Sequence, residues 1–267
     1  MAGICEICAF PLLAMRDSEI AAYLATLARE GEGAWVLTLN LEMVSRDLRD
    51  PEYSRLCRQA DLCLADGMPL VWASYLRRRR NRIPGRCPGV DLARELLTSV
   101  DPRRIAIIGG VDPRAALAKV IPNQAREVFV FDGFVSDEDS AVDALAAQLL
   151  ARDVTLIFCA LGVPKQDRMA LKLRQRVPRA VILGVGGTFE MIAGIVKRCP
   201  AWMQKIGFEW LYRLTRDPRR LWRRYLVEYW GGLLAVLRDA RAPMPVKRAP
   251  APVYSPDVER RKRKRAS

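Results

Sequence analysis

Short, almost continuously apolar runs alternate with amphipathic stretches from about residue 33 onward, and this alternation restricts the fold more than any other feature. The runs at 34–38, 62–65, 104–108, 128–131, 154–161 and 180–185 have the length of buried strands. Most are followed by residues with helical periodicity. Strands that are apolar on both faces and joined by helices are typical of a Rossmann-like α/β fold, a mostly parallel sheet covered by helices.

The pattern changes after Pro200. Two long helices are predicted at 202–215 and 218–238, with Asp217 and Pro218 as the cap and first turn of the second. They contain four of the six tryptophans. Residues 242–267 are rich in Pro and basic residues and too poor in apolar residues to fold alone, so we expect them to be disordered. We therefore predict an α/β catalytic domain (1–196), a helical basic and aromatic appendage (197–241) and a disordered tail (242–267).

The charge is concentrated in the C-terminal part. Residues 197–267 contain 19 Lys and Arg against 6 Asp and Glu, whereas residues 1–196 contain 25 against 24. A cationic segment indicates an anionic partner, which is either a membrane surface or a nucleic acid. The aromatic residues recur at helical spacing beside Leu and Val, and no recognised nucleic-acid module is present. We therefore expect an anionic membrane surface, and no nucleic acid, as the partner.

Other features bear on the cellular location. No run of about 18 apolar residues is present, so no membrane-spanning helix is predicted. The N-terminus lacks the basic start and cleavage site of an export signal. An odd number of cysteines, seven, mostly within apolar stretches, fits free thiols in a reducing cytosol. We expect a cytoplasmic protein that binds peripherally to the membrane.

The chain has no histidine, so proton transfer falls to a carboxylate or another group. Asp66 follows the strand at 62–65, while Thr38 and Asn40 lie at the end of the strand at 34–38. These three side chains are expected at one sheet edge, where Asp66 can take a proton from a substrate hydroxyl. Thr38 and Asn40 can bind substrate or position that carboxylate. Alternatively, Asp66 begins a turn and Asn40 caps a helix, and the spacing does not decide between the two.

Two glycine-rich segments also follow predicted strands. At 162–167, Gly162 permits close backbone approach, and Lys165 and Gln166 begin a predicted helix whose free amide groups suit a phosphate or ribose. At 184–189, Gly186 and Gly187 form a second platform for phosphate or sugar. The segment at 108–112 is not G-x-G-x-x-G, which disfavours a nicotinamide dehydrogenase. The C-x-x-C pair of Cys5 and Cys8 has neither a second pair nor a histidine to complete a zinc site. We expect neither a metal nor a cofactor.

Seven motifs in order resemble the WecG/TagA/CpsF family, glycosyltransferase family 26. They are TLNLEM (38–43), ADLCLADG (60–67), IPGRCPGVD (83–91), GVPKQD (162–167), GVGGTF (184–189), KRCPAW (197–202) and GFEWLYR (207–213). Asp167 stands where the family usually has Glu, and Cys199 where it often has Ala. Neither departure involves Asp66.

The resemblance implies a hexosyltransferase of bacterial cell-surface polysaccharide synthesis. Such enzymes move an N-acetylmannosamine-type or related hexose from a UDP-sugar to a sugar on undecaprenyl diphosphate, with inversion and without a metal, on the cytoplasmic face of the inner membrane. It also implies Asp66 as the general base and Thr38 and Asn40 as substrate contacts. Further active-site residues implied by the family are Arg86 and Gln166, with Arg213, Arg220 and Arg223 reaching the diphosphates.

Several alternatives stay open from the sequence. The C-terminal arginines can bind substrate diphosphates, lipid headgroups or both. A catalytically inactive scaffold of a polysaccharide-synthesis complex is a second interpretation, and a basic nucleic-acid-binding protein is a third. The transferred sugar and its acceptor are not readable from the sequence, and a homo-oligomer is compatible with it.

Overall fold

The computed structural model describes residues 3–76, 81–131, 135–205, 207–223, 227 and 229–241, and only the backbone of residues 201, 205 and 220. The described strands are β1 (Gly3–Ile7), β2 (Phe10–Ala14), β3 (Ala34–Leu39), β4 (Leu62–Ala65), β5 (Ile105–Gly109), β6 (Phe129–Phe131), β7 (Leu156–Ala160) and β8 (Val181–Gly184). They form one sheet in the order β1-β2-β4-β3-β8-β7-β5-β6. All neighbouring strands are parallel except β1 and β2.

The described helices of the α/β part connect these strands. They are α1 (Asp17–Glu30), α2 (Leu41–Asp47), α3 (Pro51–Cys57), α4 (Met68–Leu76), α5 (Gly89–Ser99), α6 (Pro113–Val120), α7 (Asp139–Ala151), α8 (Lys165–Arg176) and α9 (Thr188–Ala193). Strand β3 shows how they cover both faces, because its side chains alternate between two hydrophobic clusters. Trp35 and Leu37 pack with residues of α2, α4 and α8, whereas Ala34 and Val36 pack with residues of α1 and α5. The predicted α/β fold with a mostly parallel sheet is confirmed, and the six predicted strands correspond to β3 to β8.

An N-terminal hairpin was not predicted. Strands β1 and β2 pair antiparallel, and the two residues between them, Cys8 and Ala9, both have positive φ, 50° and 60°. Two-residue turns of this kind favour Asn-Gly or Asp-Gly, so Cys-Ala gives no turn signal. Strand β2 then pairs parallel with β4, which places the hairpin at the edge of the sheet.

The C-terminal part is helical, as predicted, but its described helices are shorter. They are α10 (Ala201–Lys205), α11 (Glu209–Arg216), α12 (Pro218–Arg223) and α13 (Tyr229–Arg241). Gly207, with φ of +81°, separates α10 from α11 where one helix was predicted. Helix α13 packs against α2 and α4, and its residues Val236 and Ala240 are buried in the cluster that covers one sheet face. The predicted disordered tail, 242–267, lies outside the described residues.

Among the described residues, none of the helices combines the length and the apolar character that crossing a bilayer requires. All seven cysteines are free thiols, and every one except Cys8 is buried.

Candidate active site

A cleft of about 790 Å³ opens at the carboxyl ends of four neighbouring strands, β4, β3, β8 and β7. Its walls come from the segments that follow these strands, from the segment before α5, and from α9 and the C-terminal helices. This is where ligands bind in open parallel sheets. Nine of the predicted site residues line it: Thr38, Asn40, Asp66, Arg86, Gly162, Gln166, Gly186, Gly187 and Arg213.

Asp66 is held in the cleft by the ends of two strands. Its backbone N–H donates to the carbonyl oxygen of Leu39 at 2.8 Å, which fixes the residue directly after β4 beside the end of β3. The N–H of Cys87 donates to the carbonyl of Ala65 at 2.8 Å and so brings the neighbouring Arg86 to the same edge. The backbone thus places a carboxylate and a guanidinium group in one cleft.

The surroundings of Asp66 favour its protonated form. Burial is the main cause, the negative charge of Glu209 adds to it, and Arg213, Arg86 and Arg198 act in the opposite direction. Together they raise the pKa of Asp66 to about 6. Such a carboxylate is largely ionised at neutral pH, yet it binds a proton more readily than an ordinary aspartate, which suits a general base.

Thr38 and Asn40 both line the cleft and also have structural roles. The hydroxyl of Thr38 donates to the carbonyl oxygen of Gly184 at 2.8 Å and so ties the end of β3 to the end of β8. Asn40 caps α2, since its Oδ1 accepts from the N–H of Met43 at 3.1 Å. The capping interpretation is therefore confirmed for Asn40. A ligand can meet this side chain through its NH₂ group or through the second lone pair of Oδ1.

Gln166 joins the two glycine-rich segments. Its Oε1 accepts from the N–H of Gly186 at 3.0 Å, and its side chain passes so close to Gly184 that a Cβ there would lie 2.7 Å from Nε2. Any side chain at position 184 would displace Gln166. The glycine is thus required by close approach, and the buried amide fixes the distance between the segments after β7 and β8.

Asp167 follows Gln166 in the first turn of α8. It is buried, and its Oδ2 accepts from the hydroxyl of Tyr53 at 2.8 Å. Burial raises the pKa of Asp167 to about 7. Asp167 does not line the cleft, so this departure from the family pattern lies behind the site and not in it.

Ion pairs connect the C-terminal segment to the α/β part across the cleft. Arg86 Nη1 lies 2.9 Å from Glu209 Oε2, and Glu209 also pairs within α11, where Arg213 Nη2 lies 2.7 Å from its Oε1. Arg198 Nη2 lies 2.6 Å from Asp91 Oδ2 at the start of α5. Sequence reasoning missed Glu209, although its position four residues before Arg213 on a predicted helix is the spacing of a side-chain ion pair.

Three predicted site residues are not placed in the cleft. Lys165 begins α8 and Arg223 ends α12, but neither is among the described residues that line it. Arg220 lies on α12, and its side chain is outside the described part. Three further basic residues, Lys197, Arg198 and Arg216, do line the cleft and were not among the predicted site residues. Within the described ranges, no group of three or more Cys, Asp or Glu side chains is arranged to hold a metal ion.

A Rossmann-like sheet with a carboxylate and several guanidinium groups at its carboxyl edge is an arrangement suited to group transfer from a phosphorylated donor. The family model described as glycosyl transferase WecG/TagA/CpsF family matches residues 5–245. The chain therefore belongs to that family and is a glycosyltransferase, and the resemblance of the seven motifs is confirmed.

Two relatives have the same name, N-acetylglucosaminyldiphosphoundecaprenol N-acetyl-beta-D-mannosaminyltransferase. The protein from Bacillus spizizenii is 31% identical over 238 residues, which cover 85% of this chain and 89% of the relative. The protein from Bacillus subtilis is 32% identical over 200 residues, which cover 73% of this chain and 75% of the relative.

Proposed function

We propose that this glycosyltransferase moves a hexose of the N-acetylmannosamine type, or a related one, from a UDP-sugar to a sugar linked to undecaprenyl diphosphate, with inversion and without a metal. The product would enter bacterial cell-surface polysaccharide. The names of the two relatives support the acceptor and the sugar class. The observation that carries the proposal is the cleft itself, in which Asp66 lies among Arg86, Arg198 and Arg213.

The proposed reaction is a single displacement at the anomeric carbon. The acceptor hydroxyl attacks this carbon as its proton passes to the Asp66 carboxylate, and the bond from the sugar to the UDP oxygen breaks. The leaving diphosphate gains negative charge, which Arg86 and Arg213 would stabilise by charge-assisted hydrogen bonds. Thr38 and Asn40 would contact the sugars, while the backbone amide groups near Gly162, Gly186 and Gly187 would face the donor. Lys165, Gln166, Arg220 and Arg223 remain proposed substrate contacts.

The pH dependence of the reaction should report Asp66. Because the base acts in its unprotonated form and its pKa is raised to about 6, kcat/KM should be constant above about pH 7 and fall roughly tenfold per unit below about pH 6. The acid limb of this pH profile can be measured as the release of UDP from the UDP-sugar in the presence of acceptor across this pH range. A limb near pH 4, the range of an ordinary aspartate, would contradict the assignment.

We further propose that residues 197–241 form an appendage that both completes the cleft and binds an anionic membrane. Trp202, Trp210, Trp222 and Trp230 are 39–62% exposed, and indole rings favour the headgroup region of a bilayer. Arg213 lines the cleft, which supports a substrate role for at least one C-terminal arginine. The protein would then bind peripherally to the cytoplasmic face of the inner membrane and take its lipid-linked acceptor there.

The donor can be identified by comparing the rates of transfer from different UDP-sugars. Purified full-length protein is incubated with one UDP-sugar at a time and a short-chain prenyl diphosphate that carries N-acetylglucosamine. Transfer from UDP-N-acetylmannosamine should exceed transfer from UDP-glucose by at least about tenfold, since a site that binds an acetamido group leaves polar groups unpaired with the analogue that lacks it. No transfer from any UDP-sugar, combined with retained vesicle binding, would favour the inactive scaffold instead.

A further inference from the structure

Glu209 occupies the centre of the ion pairs in the cleft. It is the first residue of α11, and each oxygen of its carboxylate contacts a different arginine: Oε2 contacts Arg86 at 2.9 Å and Oε1 contacts Arg213 at 2.7 Å. The two arginines come from distant parts of the chain. Arg86 precedes α5 in the α/β part, whereas Arg213 lies one turn after Glu209 on α11.

The Arg86–Glu209 pair of this cluster is well shielded from solvent, whereas Arg213 is partly exposed. The side chains of Glu209 and Arg86 are only 13% and 15% exposed, and that of Arg213 is 37% exposed. The ion pair of Arg86 and Glu209 is therefore weakly screened, and loss of Glu209 leaves Arg86 without this ion pair. Arg213 also contacts Met191 on α9 through the same Nη2, at 3.2 Å. Its guanidinium group is therefore held between α11 and the helix that follows the glycine-rich segment.

A guanidinium group has five N–H donors in one rigid plane, and a carboxylate that binds one of them restricts the orientation of that plane. Glu209 thus orients Arg86 and Arg213 relative to each other. On the proposed function, both groups serve the diphosphate of the donor and must reach it together. A diphosphate gains most from guanidinium groups that are already in place, because less conformational entropy is lost on binding.

We infer, on the basis of the proposed function, that Glu209 is a positioning residue that holds Arg86 and Arg213 together at the cleft, so that both guanidinium groups receive the donor diphosphate as one preformed site.

An alternative interpretation, in which Glu209 only adds negative charge to the cleft, predicts a change in UDP affinity of the opposite sign. A carboxylate in an anion-binding cleft also repels phosphate, so if positioning were unimportant, its removal would strengthen the binding of UDP. The direction of change in UDP affinity therefore separates the two roles.

The experiment is isothermal titration of UDP into the full-length protein and into Glu209→Gln. We expect Glu209→Gln to bind UDP roughly tenfold more weakly, although it removes a negative charge, because charge-assisted hydrogen bonds between the carboxylate and both arginines are lost. Asp47→Asn is the matched control. It removes a carboxylate of similar burial, 9% exposed, from an ion pair with Arg58 away from the cleft, and it should leave UDP affinity unchanged. Equal or tighter binding by Glu209→Gln would overturn the inference.

A double-mutant cycle tests whether Glu209 acts through the arginines. In an Arg213→Gln background, Glu209→Gln should weaken UDP binding by about threefold or less, since one of the two positioned groups is already absent. The same tenfold effect in both backgrounds would contradict a positioning role.

If Glu209→Gln does not fold, Glu209→Asp can be used instead. It keeps the charge but is one methylene too short to contact both arginines. Its UDP affinity should still fall severalfold, and wild-type affinity would overturn the inference.

The pH profile adds a measurement that a purely structural residue would not change. Loss of the Glu209 charge should move the acid limb of kcat/KM to lower pH by about half a unit or more, because that charge favours protonation of Asp66. An unmoved limb would contradict this part of the role.

The UDP titration of the wild-type protein distinguishes a failure of the proposed function from a failure of the inference about Glu209. If wild-type protein binds no UDP, the proposed function fails together with the inference, whereas wild-type binding with an unaffected Glu209→Gln overturns the inference alone.

Discussion

Replacement of Asp66 by Asn should lower the rate of sugar transfer by about a thousandfold. An amide has the size of the carboxylate but cannot take the proton of the attacking hydroxyl, and a positioned general base contributes typically 10²–10⁴-fold. The substitution leaves the backbone contact to Leu39 in place. The rate is measured as UDP release at saturating donor and acceptor near pH 7.5. Unchanged turnover would remove Asp66 from the mechanism.

The same variant should fold at least as well as the wild type, and this separates a chemical role from a structural one. The pKa of Asp66 is raised in the folded protein to about 6 from an unfolded value of 3.8, so ionisation above that range destabilises the folded state. Asn avoids this cost at pH 7.5. Calorimetry should therefore show an equal or higher Tm for the variant at pH 7.5, and the gain should disappear as the pH falls below about 4. A collapsed Tm at pH 7.5 would instead indicate that Asp66 supports the fold.

Much of the fold follows from local features of the sequence. Strands β3 to β8 are apolar on both faces and are followed by residues of helical period, so their pattern predicts both the strands and their parallel arrangement. The hairpin of β1 and β2 escapes such reasoning because its turn uses Cys8 and Ala9 instead of a turn-forming pair. The position of α13 also depends on tertiary contacts. Gly232 lies so close to α2 that a Cβ would be 2.5 Å from the carbonyl oxygen of Leu41. The periodicity of the sequence does not predict such a close contact between two helices.

The site, like the fold, could be predicted from the sequence only in part. Asp66, Thr38 and Asn40 could be grouped from the sequence because the rule for parallel strands places their segments at one edge. Glu209 could not be assigned in this way. It lies 123 positions after Arg86 in the chain, and only the tertiary structure brings the two side chains together in the cleft. A charge pattern on a helix reveals the partner four residues away, but it does not reveal the partner on another element.

Deletion of residues 242–267 should weaken binding to anionic vesicles by about a hundredfold or more. This segment carries eight Lys and Arg against two Asp and Glu, and each basic residue near an anionic leaflet contributes about 1 kcal/mol. Co-sedimentation with phosphatidylglycerol vesicles measures the effect, which should shrink as salt screens the charges. Neutral phosphatidylcholine vesicles serve as the control, because the electrostatic part of binding is absent there.

Turnover of a short-chain, water-soluble acceptor should stay within about twofold in the same deletion, since Tyr229 is the last of the described residues to line the cleft. A deletion from residue 229 onward provides the contrast. It removes Val236 and Ala240 from the core and exposes the faces of α2 and α4 that α13 covers, so it should abolish cooperative unfolding and activity together. Undiminished vesicle binding after removal of 242–267 would assign the membrane contact to the exposed tryptophans of the helices. Loss of turnover on the soluble acceptor would instead indicate that residues 242–267 contribute to the active site.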